Sequence, residues 1–258
     1  MYSSLESYYS FEPFTSKRKE KFTDMVFTHS HIPFVVICYN NLTFVKNFVN
    51  QLKRFPNPII LLDNKSSFAP MFSYYDNIED ELKSKIKIHR LDQNYGHRVY
   101  SIRPDLLPEQ FILSDPDLQL HPDMPLNVAD ILMELSTTYQ AHKVGSALDI
   151  SDHEKFIKCP NYTLGMNIHD WESQFWKNPM PHDKYKLYNA DIDTTFCLVN
   201  QSIQYGIKIR VAGNFTAKHL PWYENYIIEH IPKDELNHWI ENNTSSSILF
   251  TCLNLNKQ

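Results

Sequence analysis

Two pairs of carboxylates, each separated by one residue, are the chemically pointed features of this chain: Asp115-Pro116-Asp117 and Asp191-Ile192-Asp193. Carboxylates this close repel one another unless a cation sits with them. Their oxygens are hard donors suited to Mg2+ or Mn2+, ions that keep waters and complete their shell with phosphate oxygens. Pro116 cannot donate to a β-ladder, so Asp115 and Asp117 point out of the end of the preceding strand. A polar turn with Asp117 capping the next element is the plain alternative. The second pair suits a different task, because a carboxylate can take the proton from a hydroxyl nucleophile. A solvated acidic turn would explain it without chemistry. His219 could complete a metal shell, and Trp222 offers a flat apolar floor for a ring. Trp171-Glu172 joins an aromatic face to a hydrogen-bonding acid, although core packing explains a tryptophan equally well.

A second group of polar residues follows strand-like runs in the first hundred residues. Tyr39 ends the first run and Asp63-Asn64 the second. An acid at such a place can accept a hydrogen bond from a base or a ribose hydroxyl. Asn94-Tyr95-Gly96-His97-Arg98 follows the third run, with Gly96 for a tight turn and Arg98 able to pair with a phosphate. Ordinary strand-to-helix turns account for the same residues without a ligand.

The elements that must position these groups follow from periodicity. Short apolar runs at 32–39, 59–62 and 111–114 read as buried strands, and 86–91 reads as a further strand. Helical spacing over 42–54, 68–85 and about 126–139 fills the gaps, with caps offered by Asn40-Asn41 and a break at Pro56 and Pro58. A fifth strand is expected near 144–150, two more over 194–199 and 207–211, and a terminal helix over 233–240. Strands alternating with helices imply a mainly parallel sheet in a single α/β domain. Ligands of such sheets bind outside the carboxyl ends of the strands, where all of these groups fall. Residues 1–31 read as an irregular arm ahead of a domain over 32–258. If 191–199 is one strand, Asp191 and Asp193 share a face.

Composition narrows the classes. The chain has 258 residues, 42% hydrophobic and 21% charged, with a formal net charge of -5. That is enough apolar material for a full core, and too little basic charge for a nucleic-acid binder. Five glycines and no glycine-rich phosphate loop count against a P-loop or dinucleotide fingerprint. The four cysteines are scattered, so buried free thiols are expected. No apolar stretch near the start reads as a signal peptide or membrane span, which makes a cytoplasmic location the default.

Taken in order, these pieces resemble the GT-A glycosyltransferases, most closely the family-2 type. The segments that carry the resemblance are Phe34–Asn41, Leu61–Ser67, Asn94–His97, Ser114–Asp117, Ala190–Asp193 and Ala217–His219. The resemblance implies a Rossmann-like domain with a nucleotide-binding half over about 32–125 and a less regular acceptor-side half over about 126–258. It further implies a nucleoside-diphosphate sugar donor, a UDP-sugar above others, and a glycan or other hydroxyl acceptor. The donor would be held by Tyr39, Asp63, Asn64, Asn94, His97, Arg98 and Asp115. Mn2+ or Mg2+ would be held by Asp117 with Asp115 and His219. Asp193 or Asp191 would be the base in an inverting transfer, and Trp171, Glu172 and Trp222 would meet the acceptor. Two departures stand out: Ala190-Asp191 replaces the usual Glu-Asp, and a strand-like run appears where a helix is usual. A nucleotidyltransferase is the nearest rival, though it commonly carries a glycine-rich loop after the first strand. A non-catalytic binding relative is another.

Overall fold

The apolar run that begins at Ile32 becomes strand β1 (Phe34–Cys38), buried at all five positions. Phe34, Val36 and Cys38 enter one apolar layer, while Val35 and Ile37 enter another on the opposite face of the sheet. A strand buried on both faces needs this unbroken hydrophobicity. The computed structural model describes residues 31–242; the expected arm over 1–31 lies, but for its last residue, outside the described residues.

Ten further strands follow: β2 (Ile59–Asp63), β3 (Ile86–Arg90), β4 (Gln110–Ser114), β5 (Leu118–Leu120), β6 (Ala141–Ser146), β7 (Pro179–Met180), β8 (Leu187–Asn189), β9 (Cys197–Asn200), β10 (Ile207–Val211) and β11 (Ala217–His219). Nine form one sheet in the order β3-β2-β1-β4-β9-β6-β10-β8-β7, and β5 pairs with β11 in a separate ribbon. β1 is parallel to β2 and β4, β2 to β3, and β6 to β10. β9 is inserted antiparallel between β4 and β6. All strands of the large sheet except β8 and β9 therefore run the same way, as a mainly parallel α/β sheet requires.

Helices α1 (Leu42–Leu52), α2 (Ala69–Leu82), α3 (Val99–Ile102), α4 (Val128–Tyr139), α5 (Ile168–Ser173), α6 (Glu224–His230) and α7 (Lys233–Asn242) complete the described chain. The buried stripe of α1 is Leu42, Phe44, Val45, Phe48, Val49 and Leu52, the spacing of a helix packed on a sheet. Asn41 stands at its N-cap position but makes no side-chain cap bond. Glu235 of α7 does that work, accepting from Thr43 N at 2.8 Å and Thr43 Oγ1 at 2.6 Å. The orphan amides of a helix start favour such a carboxylate.

Two expected elements are shifted. β6 begins at Ala141 rather than near Val144, because Lys143 is buried in it and its polar type hides the strand. β9 begins at Cys197 rather than Thr194, because Phe196 takes a left-handed φ of 45° that no ladder accommodates. Its ring is anchored against Phe34 and Phe48. Cys38 and Cys197 are free and buried, as expected. Cys159 is disulfide-bonded, which corrects the expectation of a free thiol there. Among the described residues no helix is long and apolar enough to cross a membrane.

Candidate active site

β4 delivers Asp115 to the carboxyl edge of the sheet, where the chain turns at once. Asp115 N donates to Thr194 O at 2.7 Å, and the Thr194 hydroxyl donates to the Asp115 carboxylate. Pro116 ends the ladder, and β5 starts two residues later as one strand of the ribbon. That ribbon sets Leu118 opposite His219 and closes with Leu220 N donating to Asp117 O at 2.9 Å. His219 Nε2 thereby stands 3.4 Å from Asp117 Oδ2, although the two are far apart in sequence. Burial and then the neighbouring Asp117 charge push the Asp115 pKa up. Burial alone would lower the His219 pKa, yet the adjacent Asp117 carboxylate holds it raised.

Two atoms in this cluster are left over. Asp117 Oδ1 and His219 Nδ1 are buried and have no hydrogen-bond partner among the described residues. A buried polar atom without a partner is costly and calls for an explanation, of which a bound ion is one. Carboxylate oxygen and imidazole nitrogen together suit a divalent cation. Among the described residues no group of three or more His, Cys, Asp or Glu could hold a metal ion. An ion held by Asp117 and His219 would have to draw its remaining ligands from water and phosphate. Asp115, bonded to Thr194, is less free to contribute than Asp117.

A cavity of about 490 Å³ opens beside this cluster, lined among others by Asp115, Glu172, Asp191, Asp193, His219 and Trp171. Asp115 of the first acidic pair and both members of the second, distant in sequence, line one chamber. The segment 191–193 belongs to no strand or helix. Side chains hold it in place of a ladder. Lys208 pairs with the Asp191 carboxylate at 2.8 Å, and Arg210 Nε donates to Asp191 O at 2.7 Å. Lys143 Nζ donates to Asp193 O at 3.0 Å and approaches Ile192 O at 3.4 Å. Ile192 is buried while the aspartates on either side are exposed.

Glu172 and Arg210 form an ion pair at the back of the cavity, and both are buried. The guanidinium also lies 4.0 Å over the Phe175 ring. Burial pushes Glu172 up to about 7 against the downward pull of Arg210. Trp171 is only partly buried and packs edge-on against Phe175. Trp222 is 2% exposed and packs against Phe156 and His219, so it meets the cavity from within the core. Trp171 is the more open ring.

The first group of polar residues lies at the ends of β1–β3 and does not line that cavity. Asp63 is 1% exposed; its carboxylate accepts from the Ser66 hydroxyl, from Ser66 N at 3.2 Å and from Tyr75 Oη at 3.1 Å. Asn64 donates to Gly96 O at 3.1 Å and accepts from Tyr95 N at 3.3 Å, tying the loop after β2 to the loop after β3. Asn94 accepts from Gly96 N at 2.8 Å to shape the turn. His97 and Arg98 are exposed. Tyr39 Oη donates to Asn242 O at 3.2 Å, so α7 reaches across the end of β1. His238 of the same helix meets Ser67 Oγ at 3.0 Å.

Sequence reasoning missed Lys143, Arg210, Thr194 and the capping role of Glu235. Arg210 sits inside a strand-like run and Lys143 directly ahead of one, and a cation so placed is the signal that could have pointed to a buried partner.

No family model matches the chain, and neither does any curated protein. Solved structures do. GalNAc-T7, solved with UDP, GalNAc and Mn2+, superposes with a TM-score of 0.53 at 12% identity over 75% of this chain and 44% of that one. The chain has a GT-A fold. A mannosyltransferase from Pyrobaculum calidifontis, solved with GDP-mannose and Mn2+, matches 53% of this chain and 41% of its own at 12% identity, with a TM-score of 0.39. TarS of S. aureus matches 46% of this chain and 22% of its own at 12% identity, with a TM-score of 0.35. The chain spans less than half the length of each of these proteins. At such identity the likeness is one of fold.

Proposed function

We propose that this chain is a metal-dependent glycosyltransferase that moves a sugar from a UDP-sugar to an acceptor hydroxyl with inversion. The observation that carries the reading is the pairing, in a GT-A fold, of His219 with Asp117 beside a cavity that the separate exposed carboxylate of Asp193 lines. Asp117 and His219 would hold Mn2+ or Mg2+, with Asp115 supporting through its bond to Thr194. When bound, the cation would neutralise charge on the departing nucleoside diphosphate. Asp193 is the better base, because the Asp191 carboxylate is already paired with Lys208. It would accept the acceptor proton as that oxygen bonds the anomeric carbon and the bond to the diphosphate breaks. Trp171 would stack on the acceptor. Tyr39, Asn64, Asn94, His97 and Arg98 would border the nucleotide, with Asp63 acting through the loop it shapes.

The test is a thermal-shift panel of nucleoside diphosphates with and without Mn2+, on the wild-type chain and Asp117→Ala. UDP should raise the melting temperature of the wild type only with metal present, and should leave Asp117→Ala unmoved. An equal response of both proteins would end the metal assignment. A response to nucleoside triphosphates without UDP would favour a nucleotidyltransferase instead.

A further inference from the structure

Lys143 is a buried ammonium, 6% exposed, and its Nζ ends on backbone carbonyls rather than on a carboxylate. It donates to Asp193 O at 3.0 Å, approaches Ile192 O at 3.4 Å and stands 5.2 Å over the Tyr100 ring. Taking a charged amine out of water carries a penalty that an apolar side chain filling the same space would avoid. What an apolar side chain would not do is hold those two carbonyls.

The arrangement around it is systematic. Lys143 lies directly opposite Lys208 in the β6–β10 pairing, so the two project from the same face of the sheet. Arg210, two residues further along β10, shares that face. All three cations reach the same three residues, 191 to 193, at the carboxylate or carbonyl of Asp191 and at the carbonyls of Ile192 and Asp193. A stretch of backbone outside any ladder would otherwise sample many orientations.

We propose that Lys143 is the positioning residue for Asp193: by holding the Ile192 and Asp193 carbonyls it fixes the direction in which the Asp193 carboxylate enters the cavity. Asp193 lines the cavity and Lys143 does not, so Lys143 would act through Asp193. The inference rests on reading Asp193 as the base. Burial would lower the Lys143 pKa, yet Cys197, Tyr100 and Asp193 around it hold it raised, in keeping with a cation that stays charged while it works.

The experiment uses the full chain as wild type, Lys143→Met, Lys143→Arg, Asp193→Asn and the double variant Lys143→Met/Asp193→Asn. Turnover is followed with Mn2+ and whichever of UDP-glucose, UDP-galactose, UDP-GlcNAc and UDP-GalNAc the wild type consumes fastest, water serving as acceptor. Misdirecting a reacting group by about an ångström costs up to roughly 100-fold in rate. Lys143→Met should therefore lower kcat about 10- to 100-fold with the donor KM within about twofold. Lys143→Arg should recover part of that loss. The double variant should be no slower than Asp193→Asn alone, since a positioned group already lost cannot be lost again.

Amide exchange over residues 189–196 supplies an arm that needs no turnover. Protection there should fall in Lys143→Met while β1–β4 keep theirs. Wild-type kcat in Lys143→Met, losses that multiply in the double variant, or unchanged exchange over 189–196 would each overturn the proposal. The base reading fails separately, if Asp193→Asn keeps the wild-type rate. A slow Asp193→Asn beside a normal Lys143→Met sinks the positioning role alone.

Discussion

Replacing Arg210 with methionine puts the buried ion pair behind the cavity under direct test. Glu172 is 2% exposed and Arg210 4%, so the variant leaves a carboxylate in the core with its cation gone. Breaking a buried pair by removing one partner typically costs about 3–5 kcal/mol. In a domain of this size that lowers the melting temperature by roughly 6–20 °C. The bond from Arg210 Nε to Asp191 O and the stacking on Phe175 disappear as well, which keeps the effect toward the upper end. The loss must also depend on pH. Burial already raises Glu172 above its ordinary value of 4.5 to about 7, and removing the cation that pulls it down raises it further. An acid whose pKa is raised by folding favours the fold below its unfolded value and loses that contribution as pH climbs through its folded value. The pH-dependent part of the gap between wild type and Arg210→Met should thus be small below about pH 7, where both folded forms hold Glu172 protonated, and widen above it. Melting curves by circular dichroism across that range provide the assay, with Glu172→Gln/Arg210→Met alongside. The double variant should regain stability at high pH because no charge is left buried. A gap that does not change with pH, or a double variant no more stable than the single one, would refute the reasoning.

Three other contacts carry outcomes of their own. Asp152 accepts from Lys218 at 2.5 Å and Tyr223 Oη at 2.7 Å; burial would raise its pKa, but these partners hold it below the ordinary value. Its contribution, about 1.5–3 kcal/mol for charge-assisted bonds, is present above the unfolded pKa and lost as pH falls. Asp152→Asn should therefore flatten the acid limb of an acid-unfolding curve. Glu235→Ala removes the acceptor at the start of α1 and should cost about 0.5–2 kcal/mol; urea titration with intact protection at Thr43 would contradict it. Gly145→Ala would drive a Cβ into the Cys197 side chain and to 2.6 Å from Phe196 O. The β6–β9 pairing must then spread, so the melting temperature should fall by the equivalent of about 1–3 kcal/mol or more, and an unchanged value would be decisive against it.

Much of the frame was legible in the sequence because its first half is built from local signals. β1, β2 and β4 are short apolar runs, β3 alternates around Ile86 and Ile88, and the helices between them carry their own periodicity, so each declares itself without knowledge of the others. Asp115-Pro116-Asp117 could be assigned to a strand end for the same reason. What escaped depended on partners distant in the chain. Lys143 looks like a strand breaker until the carbonyls of 192 and 193 are known. Asp63 carries the residue type of a ligand-binding acid, yet its oxygens are already taken by Ser66 and by Tyr75, which read only as part of a helix. The bend at Thr194–Phe196 was hidden behind a β-prone composition and is set by the bond to Asp115 and by the buried Phe196 ring. The terminal helix was foreseen, but not where it docks, since its contacts at Thr43 and Ser67 are 192 and 171 residues away.

That docking bears on when the protein becomes complete as it is made. The loops after β1 and β2 leave the ribosome early, with β1–β4 able to pair as soon as Ser114 has emerged. Their caps arrive late. The first turn of α1 stays without Glu235, Ser67 without His238 and Tyr39 without the Asn242 carbonyl until α7 has been synthesised. Closing contacts across so much chain is slow compared with forming the local ones. The contacts at the ends of β1 and β2 are thus completed by the last described helix, and a chain stalled before α7 would carry the sheet with those strand ends still open.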